Sequence, residues 1–254
     1  MQLTALPALD DNYIWHLADP AGPWLVVDPG DAAPVLAMAG DGPRPVAILL
    51  THHHGDHVAG VGSLRRRWPG VPVYGPADAR LAATVDHPVG GGDRLQAGPW
   101  RFEVLAVPGH TSSHLAFHGQ GLLFCGDTLF SLGCGRLFEG TPLDLLGALD
   151  RLAALPPDTL VCCGHEYTLA NAAFARVVDP DNAALRRRQE EVIAMRATGQ
   201  PTLPSTLAGE LACNPFLRVD APAVRASIRA REPAAAGRAD AFAALRRWKD
   251  GFRA

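Results

Sequence analysis

A short cluster of histidine and aspartate residues stands directly after an apolar run of the chain. His52, His54, Asp56 and His57 form the pattern His-x-His-x-Asp-His, which follows the apolar segment 45–50. In an extended segment His52 and His54 point to the same side, and a turn at the next glycine can bring the following pair round to a neighbouring position. Neutral imidazole and carboxylate are ligands of zinc and other first-row divalent ions. The cluster therefore predicts a loop that can serve two metal ions.

Three more side chains of the same types each follow an apolar run of their own. The runs 102–107, 122–125 and 160–163 lead, in that order, into turns that carry His110, Asp127 and His165. Continuous apolar runs fit buried strands, and strands that each end in such a turn would place the turns on a common sheet edge. Histidines in one cluster sometimes lie on a solvated loop or cap a helix instead. The repeated position at strand ends favours convergence of all seven side chains.

The elements between these runs predict a layered α/β domain followed by a helical one. Helical patterns cover residues 58–68, 77–84 and 142–155, the last with Thr141 as N-cap and a proline at its first position. From about residue 170 the chain becomes rich in Ala and Arg with helical spacing, in segments 171–178, 182–198 and 240–247, and a Pro-containing stretch, 199–216, interrupts them. No convincing strand remains there. We predict a domain over residues 1–170 and a small α-helical domain over 171–254.

Composition narrows the classes of function. The net charge of -3 gives no sign of nucleic-acid binding, although the chain after residue 170 carries 14 Lys and Arg against 9 Asp and Glu. The five cysteines show no Cys-x-x-Cys spacing, so we interpret them as reduced core residues of a cytoplasmic protein. The sequence shows neither a basic leader nor a run of roughly 18 apolar residues, so it predicts neither export nor membrane insertion. We expect a monomer that binds neither nucleic acid nor membrane.

The order of these side chains resembles that of the metallo-β-lactamase superfamily. The resemblance implies a four-layer αββα sandwich and a centre of two divalent metal ions, with zinc expected and iron or manganese as alternatives. It also implies that one metal is held by His52, His54 and His110, that the second is held by Asp56, His57 and His165, and that Asp127 bridges the two. A water shared by two cations loses a proton easily, and the cations can stabilise the oxyanion formed when it attacks a carbonyl. The Gly-x-Ser-x-Gly signature of serine hydrolases is absent.

Within that superfamily the chain is similar to glyoxalase II, the hydroxyacylglutathione hydrolases, along nearly its whole length. The stretches that carry the similarity are residues 11–15, 51–60, 108–111, 126–130, 133–141, 164–168, 213–218 and 246–250. The resemblance implies hydrolysis of S-D-lactoylglutathione and related 2-hydroxyacyl thioesters to the hydroxy acid and glutathione. Asp56 and Asp127 would keep the attacking hydroxide deprotonated and aimed.

The same resemblance implies a set of contacts to the glutathione moiety. These contacts correspond here to Arg136, Phe138, Tyr167, Arg246 and Lys249. Two of them depart from the family's commonest form: Arg136 keeps a positive charge with different donor geometry, and Phe138 has no hydroxyl to donate. Lys249 is the single lysine of a chain with 22 arginines, and it falls where the family places a glutathione anchor.

Other readings of the same residues remain open at this point. Another enzyme of the superfamily, such as a lactonase, a β-lactam hydrolase, another thioesterase or a persulfide dioxygenase with one iron, would use the same ligand pattern. A protein of a different class, in which the metal only stabilises a fold that docks a partner, predicts ordered metal without turnover. Hydrolysis of a glutathione thioester separates these possibilities.

Overall fold

The structure, a computed structural model, describes residues 1–253 and divides into two units. Unit 1 contains residues 1–106, 113–126 and 162–165, and unit 2 contains residues 107–112, 127–161 and 166–253. No helix among residues 1–253 has the length and the apolar character needed to cross a membrane.

The first sheet of unit 1 has six strands in sequence order. They are β1 (Gln2–Ala8), β2 (Asn12–Ala18), β3 (Trp24–Val27), β4 (Ala47–Leu49), β5 (Val73–Pro76) and β6 (His87–Val89). The first three strands pair antiparallel, and β3 to β6 pair parallel. Parallel neighbours need crossover connections, which here contain α1 (Ala32–Ala39), α2 (Gly55–Val58) and α3 (Val61–Arg67). The apolar side chains of α1 and α3 pack with those of the sheet in one core, which includes Val35, Ile48 and Leu64.

A second sheet contributes an antiparallel meander to unit 1. Its strands here are β7 (Arg94–Ala97), β8 (Trp100–Ala106), β9 (Leu115–Gly119) and β10 (Leu122–Gly126). Because β8 and β10 both pair antiparallel with β9, they run in the same direction and end at the same edge. The end of β13 (Leu160–Cys163) also belongs to unit 1, where the Gly164 N–H donates to the Gly126 carbonyl at 3.0 Å.

Unit 2 is mainly helical. Its helices are α4 (Pro142–Ala153), α5 (Thr168–Val178), α6 (Ala183–Ala197), α7 (Leu207–Cys213), α8 (Pro222–Arg231) and α9 (Arg238–Asp250). The start of β13 pairs with β14 (Ser205–Thr206), and β11 (Leu129–Phe130) pairs with β12 (Gly133–Cys134). Phe174 packs against Phe216 and Trp248 with ring centroids 6.2 and 5.5 Å apart.

The four strands expected before the ligand turns are confirmed as β4, β8, β10 and β13. Helix α4 begins as predicted, with Thr141 in a capping box with Asp144. The expectation of one common sheet edge is wrong, because β4 lies in the first sheet while the other three lie in the second. Periodicity identifies a strand but not the sheet that it joins.

Three other local predictions need correction. The helix expected over 77–84 is only a 3₁₀ turn, Ala79–Leu81, since the chain must re-enter the sheet at β6 a few residues later. A strand does exist after residue 169, the two-residue β14, which is too short to show an alternating pattern. The segment expected as one helix over 58–68 forms α2 and α3 with a break at Ala59 and Gly60.

The hairpin of β11 and β12 is held by one buried amide. The Asn214 side-chain Nδ2 donates to the carbonyls of Phe130 and Gly133 at 3.1 and 2.9 Å, and to Glu210 Oε2 at 3.2 Å. Asn214 is fully buried, so no water molecule can take the place of its amide as the donor to these acceptors. The hairpin thus has a fixed position between Asp127 and Arg136, two of the predicted site residues.

We predict that Asn214→Ala lowers the free energy of unfolding by about 2–3 kcal/mol, because it leaves buried acceptors without their donor. Urea denaturation of the purified protein measures this. Gln200→Ala, at an exposed position, is the control and should change the value little. Equal stabilities of the two variants would show that the Asn214 amide does not hold the hairpin.

Candidate metal centre

The loop after β4 is fixed by one buried aspartate, Asp28, which follows β3. Asp28 accepts hydrogen bonds from the Thr51 N–H at 2.8 Å and from the Thr51 hydroxyl at 2.7 Å. Its Oδ2 also lies 3.1 Å from Nδ1 of His57. Since β3 and β4 are parallel neighbours, their ends place Asp28 beside the loop that carries the histidines. Asp28 therefore orients both the start of that loop and the ring of His57.

Close backbone contact also shapes this loop. A Cβ atom added at Gly30 would lie 1.7 Å from the carbonyl oxygen of Asp56, a distance that no side chain can adopt. The turn after β3 and the ligand loop can approach this closely only with glycine at this position.

The imidazole of His165 is held at its Nδ1 by the turn between β1 and β2. Its Nδ1 lies 2.7 Å from Asp11 Oδ1. The Tyr13 N–H donates to the Gly164 carbonyl at 2.8 Å, and the Trp15 indole donates to the Cys163 carbonyl at 2.9 Å. Residues far apart in sequence, at the start of the chain and at the end of β13, thus fix the position of one imidazole.

Asp56, His57 and His165 form one cluster in unit 1. Nε2 of His57 and Nε2 of His165 each lie 3.4 Å from Asp56 Oδ2, and the ligand atoms of all three residues lie within 4.8 Å of one another. The Asn12 side-chain amide donates to Asp56 Oδ2 at 3.0 Å. A hydrogen bond from His57 holds the pKa of Asp56 well below its usual range, against the opposing effect of burial. The carboxylate is therefore kept in the ionised form that metals bind.

His52 and His54 form a second arrangement in the same loop. Nε2 of His52 and Nδ1 of His54 lie 3.0 Å apart, so both nitrogens point at one place. Nδ1 of His52 lies 3.0 Å from the Thr51 hydroxyl, and the His52 ring stacks on His114 at 4.5 Å between centroids. His114 was not predicted as a ligand, and it lies behind the ring of His52.

Unit 2 brings His110 and Asp127 together. Nε2 of His110 lies 3.4 Å from Asp127 Oδ2, and Nδ1 of His110 lies 2.8 Å from the carbonyl oxygen of Arg136. A carbonyl oxygen only accepts, so Nδ1 carries the proton and Nε2 has the lone pair that a metal needs. A Cβ atom at Gly135 would lie 1.9 Å from the Asp127 carbonyl, so the chain packs tightly at this point.

The donor geometry fits divalent metal ions. Two ligands of one tetrahedral zinc, each about 2.0–2.1 Å from the ion, are about 3.4 Å apart. The three imidazole–carboxylate pairs described above have this separation, 3.4 Å. Each of these three imidazoles presents Nε2 to the carboxylate while an oxygen acceptor holds its Nδ1, as is usual for metal-binding histidines.

The expected contacts of the glutathione moiety all lie in unit 2, and they differ in exposure. Phe138 is 62% exposed and meets His110 edge to face at 5.2 Å between ring centroids. Arg136 is also exposed, and its Nε lies 3.5 Å from Asp250 Oδ1. Tyr167 is 36% exposed and packs edge-on against Phe130. These three side chains have surface available to a ligand.

The two proposed glutathione contacts on α9, Arg246 and Lys249, differ more than their sequence pattern indicates. Arg246 is buried, and its guanidinium donates to the carbonyl of Cys134 at 2.9 Å and to Asp250 at 3.0 Å. The Lys249 ammonium lies 5.4 Å from the ring centroid of Phe174 and 3.5 Å from the Ala170 carbonyl. Partial burial lowers the pKa of Lys249, and the nearby charge of Arg246 adds to this effect.

Sequence reasoning missed the residues that orient the predicted ligands. Asp28 follows a buried strand in the way that the ligands do, so the strand-end rule could have found it. Asp11 and Asn12 lie in a stretch noted only for its resemblance, and nothing in their spacing links them to His165 and Asp56. Asp250, which contacts both Arg136 and Arg246, also lies in a stretch noted only for its resemblance, and nothing in its spacing links it to Arg136.

The comparisons with known proteins agree with this geometry. Residues 13–165 match the family model described as "Metallo-beta-lactamase superfamily", and residues 166–252 match the one described as "Hydroxyacylglutathione hydrolase C-terminus". The chain is 59% identical over its whole length, and over the whole relative, to the hydroxyacylglutathione hydrolase of Xanthomonas euvesicatoria.

Two solved structures are also similar. The B3 metallo-β-lactamase BLEG-1 has a TM-score of 0.64 at 24% identity, over 85% of this chain and 99% of that one. TTHA1623 in a di-iron-bound form has a TM-score of 0.53 at 34% identity, over 65% of this chain and 92% of that one.

The fold is therefore the metallo-β-lactamase fold, with a helical C-terminal region, and its His and Asp clusters are those of a divalent-metal-binding member of that superfamily. Within the superfamily, the chain belongs to the hydroxyacylglutathione hydrolases, a family of enzymes. The expected fold class and the resemblance to glyoxalase II are confirmed.

We predict that Asp28→Asn lowers the affinity for divalent metal about 10- to 100-fold, because the ring of His57 loses the carboxylate that orients it. Competition with a chromogenic chelator measures the affinity. Asp41→Asn, at a highly exposed carboxylate, is the control. Equal metal affinities of the two variants would contradict an orienting role for Asp28.

Proposed function

We propose that this protein hydrolyses S-D-lactoylglutathione and related 2-hydroxyacylglutathione thioesters to the hydroxy acid and glutathione. The observation that carries the proposal is the 3.4 Å spacing of the imidazole–carboxylate pairs, in a chain that matches named hydroxyacylglutathione hydrolases from end to end. Metal-stabilised docking alone would not need carboxylates beside each predicted ion. The location we propose is the cytosol, where the thiols of the five buried cysteines would stay reduced.

We further propose a centre of two divalent metal ions, with zinc as the metal. The proposed ligand sets are His52, His54 and His110 for one ion, Asp56, His57 and His165 for the other, and Asp127 between them. The spacing of the donors within each unit supports the sets, and the similar TTHA1623 is described in a di-iron-bound form. Iron and manganese accept the same donor types.

The proposed ligands would hold two cations, which would supply a water that ionises near neutral pH and a positive charge for the oxyanion of the attacked carbonyl. The protein's own contribution is to hold the carboxylates that receive and direct the water's protons. Asp56 is fixed by the amide of Asn12 and by His57, so its oxygen stays ionised and aimed. The carboxylate of Asp127 lies 3.4 Å from Nε2 of His110, and its backbone packs closely against Gly135.

The glutathione moiety is proposed to lie against the exposed side chains of Arg136, Phe138 and Tyr167, with Lys249 pairing with a carboxylate of the substrate. Arg246 is included in the proposed set, and we assign it an indirect part. Its guanidinium is occupied by the carbonyls of Cys134 and Gly135 and by Asp250, so it supports the segment that carries Arg136. Phe138 offers only an apolar face where the family's commonest form offers a hydroxyl.

Replacement of the proposed bridging carboxylate tests the reaction. Asp127→Ala is expected to abolish hydrolysis of S-D-lactoylglutathione and to lower the bound metal per chain, since it removes a shared ligand and a proton acceptor. Turnover and metal content are measured on the same preparation, with the exposed Asp158→Ala as control. Full turnover in Asp127→Ala, or wild-type activity on a lactone but not on the thioester, would reject the proposal.

Replacement of Lys249 tests the assignment of the substrate. Lys249→Ala is expected to raise KM about tenfold with little change in kcat, because the lost charge pair forms equally in the ground state and the transition state. Arg247→Ala, in the same helix and paired with Glu232, is the control. An unchanged KM in Lys249→Ala would remove this residue from the binding set.

A further inference from the structure

A cavity lies within unit 2, apart from every residue assigned above to metal or to glutathione. Its volume is about 420 Å³, a size that suits a small-molecule ligand. Its lining comes from α6, from β14 and α7, and from the turn of the hairpin, and includes Leu132, Arg187, Arg188, Ser205, Glu210 and Cys213. None of the proposed metal ligands or glutathione contacts is among its lining residues.

Glu210 gives this cavity a buried carboxylate with one oxygen still available. The side chain is 1% exposed, and its Oε2 accepts from the Leu132 N–H at 2.7 Å and from the Asn214 amide at 3.2 Å. Its other oxygen, Oε1, accepts no hydrogen bond from the described residues, and it is not among the side-chain oxygens closed to solvent. A carboxylate oxygen that no protein group pairs with, in a residue that lines the cavity, can accept from a ligand that donates.

Ser205 adds a second polar group without a partner. It is 7% exposed, it lines the same cavity, and within residues 1–253 its hydroxyl makes no hydrogen bond. A serine hydroxyl both donates and accepts, so it can accept from the group that donates to Glu210.

The two arginines at the cavity, Arg187 and Arg188, differ in their exposure and in their hydrogen bonds. The guanidinium of Arg188 donates hydrogen bonds to Glu191 and to the Thr202 carbonyl, both at 2.8 Å. Arg187 is exposed, and it makes no hydrogen bond or ion pair in the described part of the chain. The charges of Arg188 and Glu191 offset each other. The charged groups that remain at the cavity are the buried carboxylate of Glu210 and the exposed guanidinium of Arg187.

We propose that this cavity binds a small zwitterion, a molecule with a primary ammonium group and a carboxylate joined by a short apolar chain. The ammonium group donates to Glu210 Oε1 and to the Ser205 hydroxyl. The carboxylate pairs with Arg187, and the apolar chain contacts Leu132, Pro204 and Cys213. Binding is non-covalent and does not depend on the proposed hydrolysis.

The test compares three probes of matched chain length with the metal-loaded, full-length protein. The probes are 4-aminobutyrate, which has both charged groups, butylamine, which has only the ammonium group, and butyrate, which has only the carboxylate. Isothermal titration calorimetry is expected to show saturable binding of 4-aminobutyrate, about tenfold tighter than that of either other probe. No saturable binding of 4-aminobutyrate, or equal binding of all three probes, would overturn the proposal.

Variants locate the binding. Glu210→Gln and Arg187→Ala are each expected to weaken 4-aminobutyrate binding about tenfold, while the controls Glu190→Gln and Arg186→Ala, exposed on α6 outside the cavity, leave it unchanged. Arg187→Ala changes only a surface side chain, so it remains informative if Glu210→Gln fails to fold. Undiminished binding in Arg187→Ala, or loss of binding in Asp127→Ala, would overturn the proposal, the latter by placing the probe at the metal centre.

Discussion

The orientation of three of the five proposed histidine ligands by an oxygen acceptor at Nδ1 is the interaction on which the proposed chemistry depends. Asp28 holds His57, Asp11 holds His165, and the carbonyl of Arg136 holds His110. A histidine ring that could rotate would lose the 3.4 Å relation between its Nε2 and the neighbouring carboxylate. The acceptors come from the turn after β3, from the turn after β1 and from the segment after the hairpin, so the fold itself fixes the donor set.

The predicted metal ligands could be found from sequence because each has a metal-binding side chain and each follows a buried apolar run. Those two signals are local. Among the orienting residues, Asp28 also follows a buried apolar run. A lone aspartate in a turn has many ordinary roles, however, so its position alone does not indicate a site. Asp11 and Asn12 depend on the isolated bridge between Asn12 and His165, a long-range pairing that no periodicity shows. The helix at 77–84 was overpredicted for a related reason, since the return of the chain to β6 is a tertiary constraint.

The helical region shows the same division between local and long-range information. Its helices follow from Ala and Arg spacing, and its similarity to the hydroxyacylglutathione hydrolase C-terminus was visible in the sequence. The different environments of Arg246 and Lys249 were not visible, because both are cations near one helix end. Only packing shows that the guanidinium faces backbone carbonyls while the ammonium lies over the rings of Phe174 and Phe252. Asn214 and Glu210 likewise hold the hairpin by contacts with residues about 80 positions earlier in the chain.

We propose that the two sets of donors share a pair of cations through Asp127. Anomalous diffraction from crystals of the metal-loaded protein, recorded on either side of the zinc absorption edge, tests it directly. Two peaks about 3.5–4 Å apart are expected, with one carboxylate oxygen of Asp127 within ligand distance of both. A single peak, or two peaks that Asp127 does not join, would contradict it.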